Sequence, residues 1–223
     1  MHQIFVRDLG IIHPHVSVEE DRKILEKCIV SGEINLHFYR RHPPAISIGH
    51  GENTEESVEL DECEKAGVVI IQRESAGSAI YTDRDTLEYA IALPQHLVPF
   101  NREESYAFLC SAIVNALRAF EYPVEFKPVN DIQMWGRKIS GSAQKRTRNC
   151  VLQHGTILLR VDYAAIDRFL KISRKLMEKG LQKHSERVIG LFEHHEVPVE
   201  ALVKKVAEEF GQLLSGSLYW VNP

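Results

Sequence analysis

The stretch that decides the fold is VNDIQMWGRKISGSAQ, residues 129–144. At its centre, Trp135-Gly136-Arg137 predicts a hairpin turn, because a glycine-containing tripeptide lies between two short runs with strand character. These runs are Ile132–Trp135 and Lys138–Gln144. The pattern therefore predicts a pair of antiparallel strands near the middle of the chain.

Lys138 begins the second of these strands, and four small residues follow at positions 140–143. A strand with so few large side chains allows another group to approach its backbone closely, which is unusual in a core strand. Lys138 would hold a compact positive charge beside that group, and Asp131 on the preceding strand would pair with the lysine or orient it. The alternative reading is an exposed edge strand with a solvated lysine.

On either side of this hairpin, apolar residues at helical spacing predict long helices. One opens at a capping box, Ser17–Glu20; others cover Arg102–Phe120, Ala164–Lys179 and a segment after Pro198. Further strand candidates are Asn35–Tyr39, Ala45–Ile48, Val68–Gln72, Ala79–Thr82, Leu87–Leu93, Val124–Lys127 and Val151–Leu159. Strands in the middle with helices around them predict an α+β fold, with a mixed or antiparallel central β-sheet flanked by helices, in a single domain over residues 1–223.

Composition limits the class of protein. The chain has 223 residues, of which 44% are hydrophobic and 26% charged, with a net charge of -4. This balance supports a folded core and gives no basis for bulk electrostatic binding to nucleic acid or to an anionic membrane. No apolar stretch approaches the roughly 18 residues of a membrane span, and Met1–Gly10 lacks the apolar core of a signal peptide. We therefore expect a cytoplasmic protein with neither nucleic acid nor membrane as partner.

Four cysteines are scattered along the chain without a CxxC motif. Cys28 and Cys110 lie in helical apolar stripes, which favours buried thiols over a disulfide framework. Cys150 borders a polar, basic segment, and an electropositive setting is what a reactive thiolate needs. It is kept as a candidate nucleophile.

Two further segments interrupt the apolar patterns. Residues 72–83 join two strands through a loop of small residues, whose N–H groups can face phosphate or carboxylate oxygens, and Arg73 offers a fork of donors at its entrance. A plain β-turn with Arg73 in a surface ion pair is the alternative. Later, His154-Gly155-Thr156 breaks an apolar strand. Gly155 predicts a bulge or a close backbone contact, and His154 either donates to a ligand or loop carbonyl or is a structural histidine.

The order and spacing of these segments resemble the lipoate–protein ligases, within the wider biotin/lipoate transferase superfamily. That family has an arginine- and glycine-rich loop, then an Asn-Asp pair, then a Lys-x-Ser/Ala-Gly-Ser-Ala strand, then a His-Gly-Thr/Ser strand. The matching positions are Arg73, Ser75, Gly77, Ala79, Asp83, Asn130, Asp131, Lys138–Ala143 and His154–Leu159. The resemblance covers about residues 10–215 and implies the fold of the biotin/lipoate ligase catalytic domain.

Residue by residue, the resemblance implies a division of roles. Lys138 is the implied catalytic residue. The implied acyl-binding residues are Val18, Ile46, Arg73, Ser75, Gly77, Ala79, Gly141 and His154. The implied nucleotide-binding residues are Ile80, Tyr81, Asp83, Asn130, Asp131 and Lys138. No metal site built by the protein is implied.

The implied reaction has two steps. Lipoate attacks the α-phosphate of ATP, which enters with Mg²⁺, to give lipoyl-AMP. A lysine of an acceptor protein then takes the lipoyl group and releases AMP. The implied acceptors are the lipoyl domains of 2-oxoacid dehydrogenase complexes or the H protein of glycine cleavage.

This chain departs from the family pattern at several positions. Gln72 replaces the first arginine of the loop, Ala76 and Ser78 replace two of its three glycines, and Thr82 stands where histidine is usual. These changes put the acyl-chain preference and the activity in question. The chain ends at Pro223 without the small accessory domain of many bacterial ligases, so the resemblance also implies a form that works with a separate accessory subunit.

Three alternatives stay open. The first is an octanoyltransferase that takes its acyl group from acyl carrier protein without ATP. In one group of such transferases the nucleophilic cysteine precedes the lysine segment, and Val124 occupies the corresponding position, which leaves Cys150 as a distant substitute. The second is a catalytically silent acyl-binding homologue, favoured by the altered loop. A biotin ligase is disfavoured because its arginine–glycine loop is not recognisable.

Overall fold

The structure is a computed structural model that describes residues 2–172, 177, 180 and 182–222. The strands are β1 His2–Ile12, β2 Ile34–Arg41, β3 Ala45–Ile48, β4 Val69–Gln72, β5 Ile80–Thr82, β6 Thr86–Pro94, β7 Val124–Lys127, β8 Asp131–Met134, β9 Arg137–Thr147, β10 Cys150–Leu158 and β11 Gly216–Trp220. The helices are α1 Pro14–Ser31, α2 Thr54–Ser57, α3 Leu60–Ala66, α4 Arg102–Ala119, α5 Tyr163–Phe169 and α6 Val199–Leu213. Short 3₁₀ turns cover Gln95–Leu97, His184–Arg187 and Leu191–Glu193.

Two sheets organise these elements. The larger has the order β11-β1-β2-β6-β10-β9-β8-β7, and the smaller has the order β4-β3-β5. In the larger sheet β1 is parallel to both of its neighbours, whereas the pairs from β2 to β7 are antiparallel. The prediction of an α+β fold with a mixed central sheet flanked by helices is confirmed.

One face of the larger sheet is closed by α4 and α6. Leu109, Ile113 and Leu117 recur at helical spacing on α4 and are fully buried, as is Phe210 on α6. They share one apolar cluster with alternate residues of the strands, including Leu36, Phe38, Ile91 and Val151. Each such side chain contributes roughly 1.5–3 kcal/mol through burial, so this face is the rigid platform of the domain.

The opposite face is covered by α1. Ile24, Leu25 and Cys28 of this helix pack on Ala90 and Ala92 of β6. Because alanines are small, the helix lies close to the sheet. Its first turns then project their buried side chains directly onto the central strands.

The hairpin at the centre of the chain has the predicted form. Met134 pairs with Arg137, and the two residues between them, Trp135 and Gly136, have φ of 52° and 75°. Two consecutive left-handed residues are typical of the two-residue turn whose twist matches that of antiparallel strands.

Several predicted boundaries are wrong. The first helix begins at Pro14, not at a capping box on Ser17, and Ser17 Oγ donates to Pro14 O (2.7 Å) inside the first turn. In the region 164–179, where helices were expected, α5 ends at Phe169, because Leu170 turns extended and forms a bridge with Val58. Met177, later in this region, is again helical. The part of that prediction at 173–176 and 178–179 lies outside the described residues.

Strands β1 and β11 were not predicted. They pair with each other in parallel at the edge of the sheet, and parallel pairing joins segments distant in sequence. In the described part of the chain, no helix combines the length and apolar character needed to cross a bilayer.

All four cysteines are buried free thiols, which confirms the prediction made for Cys28 and Cys110. Cys150 does not have the electropositive setting that was expected for a nucleophile, because its thiol lies in the apolar cluster beneath α1 with Cys28 and Leu152. Cys28 Sγ donates to Cys150 Sγ at 2.6 Å.

We expect a mild oxidant such as diamide to join Cys28 to Cys150. The closed loop would raise the free energy of unfolding by about 2–4 kcal/mol. Urea unfolding and thiol titration of the oxidised and reduced protein measure both effects. Cys28→Ser should abolish the change and Cys63→Ser should leave it intact; an oxidised protein that still titrates all of its thiols would contradict the expectation.

Candidate active site

A buried row across three strands forms the centre of the site. Ala90 of β6 is paired with His37 of β2 on one side and with His154 of β10 on the other. Paired residues on neighbouring strands project from the same face of a sheet, so the two imidazoles flank the small alanine. Asp21 of α1 enters the space between them. Its Oδ1 lies 2.7 Å from His37 Nε2, and its Oδ2 lies 2.9 Å from His154 Nδ1.

Asp21 is ionised in this setting. Burial alone would raise the pKa of Asp21, but hydrogen bonds from His154 and His37 outweigh it and hold the pKa well below its ordinary value. Tyr39 Oη also donates to this carboxylate, at 3.3 Å. An ionised carboxylate only accepts hydrogen bonds, so His154 carries its proton on Nδ1.

Ser75 completes a chain of three side chains. Its Oγ lies 2.5 Å from His154 Nε2. Because Nδ1 of His154 donates to Asp21, Nε2 is the acceptor and Ser75 is the donor. We call Ser75, His154 and Asp21 the serine relay; their exposed fractions are 2%, 9% and 4%.

A second set of buried polar side chains, centred on Arg41 and Glu88, lies next to the His37–Ala90–His154 row; Glu88 precedes Ala90 by two residues on β6. The Arg41 guanidinium donates from Nε to Ser17 Oγ and from Nη1 to Thr82 Oγ1, each at 2.9 Å. The same Nη1 lies 2.9 Å from Glu88 Oε1. Thr82, at the position where the resembled family usually has histidine, therefore serves as a partner of a buried arginine.

Lys138 lies on β9 with its amine folded back over the strand. Its Nζ is 2.7 Å from Asp131 Oδ1, and its side chain is 19% exposed. A Cβ added to Gly141 would lie 2.2 Å from this Nζ, so the group that approaches the strand of small residues is the lysine side chain itself. Arg187 also pairs with Asp131, through Oδ2.

Burial and the two cations set the charges here. Burial lowers the pKa of Lys138, and the positive charges of Arg187 and Arg73 act in the same direction, whereas Asp131 opposes them. Burial alone would raise the pKa of Asp131, but the positive charges of Lys138 and Arg187 outweigh burial and lower this pKa. The site thus combines a carboxylate with two cations in partly dry surroundings.

The serine relay and Lys138 lie on the same face of the sheet. His154 is paired with Ala143 of β9, and Gly141 precedes Ala143 by two residues. Positions two apart on a strand share a face. The amine above Gly141 is therefore offset from the His154 row by roughly 7 Å along the strand.

The loop that carries Ser75 is braced by Arg73. The Arg73 guanidinium donates to Ser47 O (2.7 Å) and Ser78 O (2.9 Å). Gly77 has φ of +117°, a region open mainly to glycine. Ala76 and Ser78 do not adopt positive φ, so the loss of glycine at these two positions causes no strain in this loop.

Not all of the predicted site residues come together. Ile46 and Tyr81 are paired across β3 and β5 and share the apolar cluster on the outer face of the small sheet, with Ala79. Tyr81 stacks on Phe169 at 5.9 Å and lines a cavity of about 340 Å³ with Asp162 and Arg168. Ser75 and Thr82 bond instead toward the larger sheet.

The remaining predicted residues lie as follows. Val18 is half-buried on α1, Ile80 is half-buried on β5, and Asp83 Oδ1 accepts from the Asp85 amide (2.8 Å). Asn130 donates from Nδ2 to the Ser142 carbonyl, which fixes the start of β8 to β9. Gly155 allows Tyr89 to lie close, since an added Cβ would meet Tyr89 Oη at 2.7 Å.

Sequence reasoning missed five buried residues, namely Asp21, His37, Tyr39, Arg41 and Glu88. A usable signal was present for two of them, because His37 and Tyr39 alternate along the predicted strand Asn35–Tyr39 and so share one face. Arg41 lies two residues beyond that predicted strand, on its observed continuation. Asp21 falls four residues after Ser17 and on the same stripe of α1 as Cys28, which helical periodicity places toward the core.

The fold is shared with one class of protein, the catalytic domains of lipoate–protein and biotin–protein ligases. A bipartite lipoate protein ligase from Thermoplasma acidophilum superposes with a TM-score of 0.88 at 22% identity, covering 100% of this chain and 88% of the other. Within that class, the chain belongs to the family described as the lipoyl protein ligase A/B catalytic domain, whose model matches residues 13–211. The resemblance found in the sequence is confirmed at the level of the family.

Sequence relatives include two kinds of enzyme. A probable lipoate-protein ligase A of Mycoplasma pneumoniae is 27% identical over 182 residues, covering 81% of this chain and 53% of that protein. An octanoyltransferase LipM of Moorella thermoacetica is 29% identical over 220 residues, covering 89% of this chain and 81% of that protein. The chain thus spans about half the length of the Mycoplasma relative.

Glu88 gives the site a pH dependence. Burial raises the pKa of Glu88 from 4.5 to about 7, although Arg41 acts against it. The folded protein therefore keeps a proton that the unfolded chain loses near pH 4.5. The stabilisation is fully present below that pH and is lost as the pH rises through about 7.

The unfolding free energy of the wild type should fall as the pH rises from about 5 to 7, and Glu88→Gln should reduce this fall. The reduction is at most about 3 kcal/mol. Urea unfolding of the wild type and the variant across this range measures the effect. Parallel curves for the two proteins would contradict the assignment.

Proposed function

We propose that this chain is a lipoate–protein ligase, which activates lipoate with ATP as lipoyl-AMP and transfers the lipoyl group to a lysine of an acceptor domain. The observation that carries the proposal is the Lys138 amine, held over Gly141 at 2.7 Å from Asp131. Family membership over residues 13–211 supports it.

In the first step a carboxylate attacks the α-phosphate, and negative charge accumulates where the two groups meet. An ammonium group has three donors. One of those on Lys138 is used by Asp131, which leaves two for a carboxylate oxygen and a phosphate oxygen. Fixed donors in partly dry surroundings stabilise such charge far better than water does.

The loop around Ser75 holds the carboxyl end of the acyl group in this proposal. Arg73 bonds to carbonyl oxygens of the loop and of β3, so its role is to keep the loop in shape beside Lys138. The backbone N–H groups of the small residues 75–79 are then the donors for the acyl carboxyl group.

Mg²⁺ would arrive with the nucleotide and supply charge neutralisation on the phosphates. Among the residues that the structure describes, no cluster of three or more His, Cys, Asp or Glu side chains is positioned to hold a metal ion. In this proposal the ion is held by phosphate oxygens and water, which Mg²⁺ prefers to an all-protein cage.

In the second step the amine of an acceptor lysine attacks the acyl carbon and AMP leaves. The proposed acceptors are lipoyl domains of 2-oxoacid dehydrogenase complexes or the H protein of glycine cleavage, with a separate accessory subunit as a further partner. The Thermoplasma structure, which describes a bipartite ligase and its E2 lipoyl domain, offers a precedent for such partners.

An ATP-independent octanoyltransferase is the second candidate, and the Moorella relative favours it. A cysteine nucleophile is lacking at the expected position, where Val124 is buried in the apolar cluster. Burial also raises the pKa of the Cys110 thiol to about 11, which suppresses thiolate formation. A requirement for ATP separates the ligase from the transferase.

Incubation of the purified chain with lipoate, octanoate or biotin and MgATP, with and without an acceptor domain and a candidate accessory subunit, tests the proposal by mass spectrometry. We expect lipoyl-AMP without acceptor and a lipoylated lysine with it. Product formed only from octanoyl-acyl carrier protein would favour the transferase, and the absence of product from every donor would favour a silent homologue.

We expect Lys138→Ala to lower the rate of acyl-AMP formation by about 100-fold or more, because it removes the donor to the reacting oxygens. Gly141→Ala should also lower the rate, since its methyl group displaces the amine. Lys204→Ala, an exposed lysine on α6, is the matched control and should keep wild-type activity. Full adenylation by Lys138→Ala would refute the role of this amine.

A further inference from the structure

The proposed ligase mechanism uses Lys138 and leaves the serine relay without a chemical role. Ser75 Oγ lies 2.5 Å from His154 Nε2, and His154 Nδ1 lies 2.9 Å from Asp21 Oδ2. A hydroxyl, an imidazole and a buried carboxylate in this order form the arrangement that activates a serine as a nucleophile on many unrelated folds. The three residues come from a loop, a strand and a helix that are distant in sequence.

The tautomer needed for this chemistry is enforced by Asp21. The carboxylate accepts from His154, from His37 (2.7 Å) and from Tyr39 (3.3 Å). It therefore holds the His154 proton on Nδ1 and leaves Nε2 free to take the proton of Ser75. The same negative charge would stabilise the imidazolium that forms when Nε2 is protonated.

The position of Ser75 suits acyl chemistry. The hydroxyl belongs to the loop that holds the acyl carboxyl end in the proposed function. Lys138 lies on the same face of the sheet, at a strand offset of roughly 7 Å from His154. A cation there can stabilise the oxyanion of a tetrahedral intermediate.

Ser75 is only 2% exposed, and its burial has a chemical consequence. The loop is tethered from outside by Glu74, which pairs with Arg22 of α1 (2.8 Å) and with Lys145 of β9. Ion pairs of this kind contribute about 0–1 kcal/mol each, so breaking them adds little to the cost of lifting the loop to admit an acyl group. Closure afterwards would keep water away from an ester.

We infer that Ser75 is an acyl-carrying nucleophile, with His154 as its general base and Asp21 as the residue that positions His154. The inference rests on the proposed function only in placing the acyl carboxyl carbon at this loop. Ser75 would thus supply the nucleophile that is missing at Val124, the position of the transferase cysteine, and that the buried cysteines do not provide.

In this inference, direct attack of the acceptor amine on the adenylate is replaced by two balanced steps. Ser75 Oγ forms a bond to the carbonyl carbon of an activated acyl donor, its proton moves to His154 Nε2, and AMP or a thiol leaves with the electron pair of the broken bond. That proton then passes to the leaving group or to solvent. In the second step the acceptor amine forms the amide bond, its proton passes through His154 to Ser75 Oγ, and the serine leaves with the electron pair of the ester bond.

The test uses the full chain and synthetic octanoyl-AMP, so that it does not depend on ATP. We expect a stoichiometric octanoyl adduct that peptide mapping locates on Ser75, that resists thiols as an oxyester does, and that disappears when an acceptor domain is added. Ser75→Ala should lose the adduct, and Ser75→Cys should regain it as a thiol-labile thioester. Ser31→Ala, which removes an exposed hydroxyl at the end of α1 and outside the proposed site, is the matched control and should behave as the wild type.

Asp21→Asn and His154→Gln should slow acylation by about 100-fold or more, with Asp21→Asn acting through the tautomer of His154. Circular dichroism and thermal unfolding verify that each variant is folded. If Asp21→Asn or His154→Gln does not fold, the thiol-labile adduct expected on Ser75→Cys still decides the test. Transfer from octanoyl-AMP to the acceptor at the wild-type rate by Ser75→Ala would overturn the inference. So would an adduct located on Ser78 or Cys150.

The two proposals fail in distinguishable ways. If the wild type makes lipoyl-AMP from ATP and transfers the lipoyl group without an adduct on Ser75, the inference fails and the ligase function stands. If Ser75 is acylated by octanoyl-AMP or by octanoyl-acyl carrier protein while no adenylate forms from ATP, the ligase function fails and the nucleophile stands.

Discussion

The buried carboxylate of Asp21 is the interaction on which the rest of this site depends. An ionised group inside a protein is tolerated only when its hydrogen-bonding capacity is filled. Here that requirement is met by His37, His154 and Tyr39 from two strands on either side of β6. The need to satisfy one charge therefore fixes the register of α1 over the sheet, the tautomer of His154 and, through His154, the direction of the Ser75 hydroxyl.

The same constraint extends to the next row of the sheet. Arg41 and Glu88 are both buried and lie 2.9 Å apart, so each compensates the charge of the other where Glu88 is ionised, above about pH 7. A buried ion pair is weak evidence for stability, because the desolvation of two charges opposes their attraction. Its partners Ser17 and Thr82 come from α1 and from β5 of the small sheet. The pair thus joins three elements and specifies their arrangement, whatever its net contribution to the free energy of unfolding.

Local signals in the sequence were sufficient for most strands and for the hairpin at 135–136, because turn chemistry and apolar alternation act within a few residues. The pairing of Asp131 with Lys138 was also suggested by their positions on adjacent strands. The serine relay could not be predicted from local signals, because Asp21 and His154 are 133 positions apart and meet only when α1 packs on the sheet. Strand β11 was missed for the same reason, because it pairs in parallel with β1 across nearly the whole chain. Strand β1, which also pairs in parallel with β2, was missed as well. Ile46 packs in the apolar cluster of the small sheet, whereas Ser75 lies in the loop after β4 and bonds to His154 of the larger sheet. A resemblance by motif does not report this separation.

A ligase and a transferase make different demands on such a site. Adenylation needs cations where a carboxylate meets a phosphate, which describes Lys138 between Asp131 and the strand at Gly141. Transfer from a thioester needs a nucleophile with a base, which describes Ser75 and His154. The two sets of groups lie on one face of one sheet, within about two residues along neighbouring strands, so a single acyl carbon could be served by both. This gives a physical reason why one family contains both ligases and transferases. Conversion of a ligase into a transferase requires a different source of the activated acyl group but little change in the sheet that holds this group.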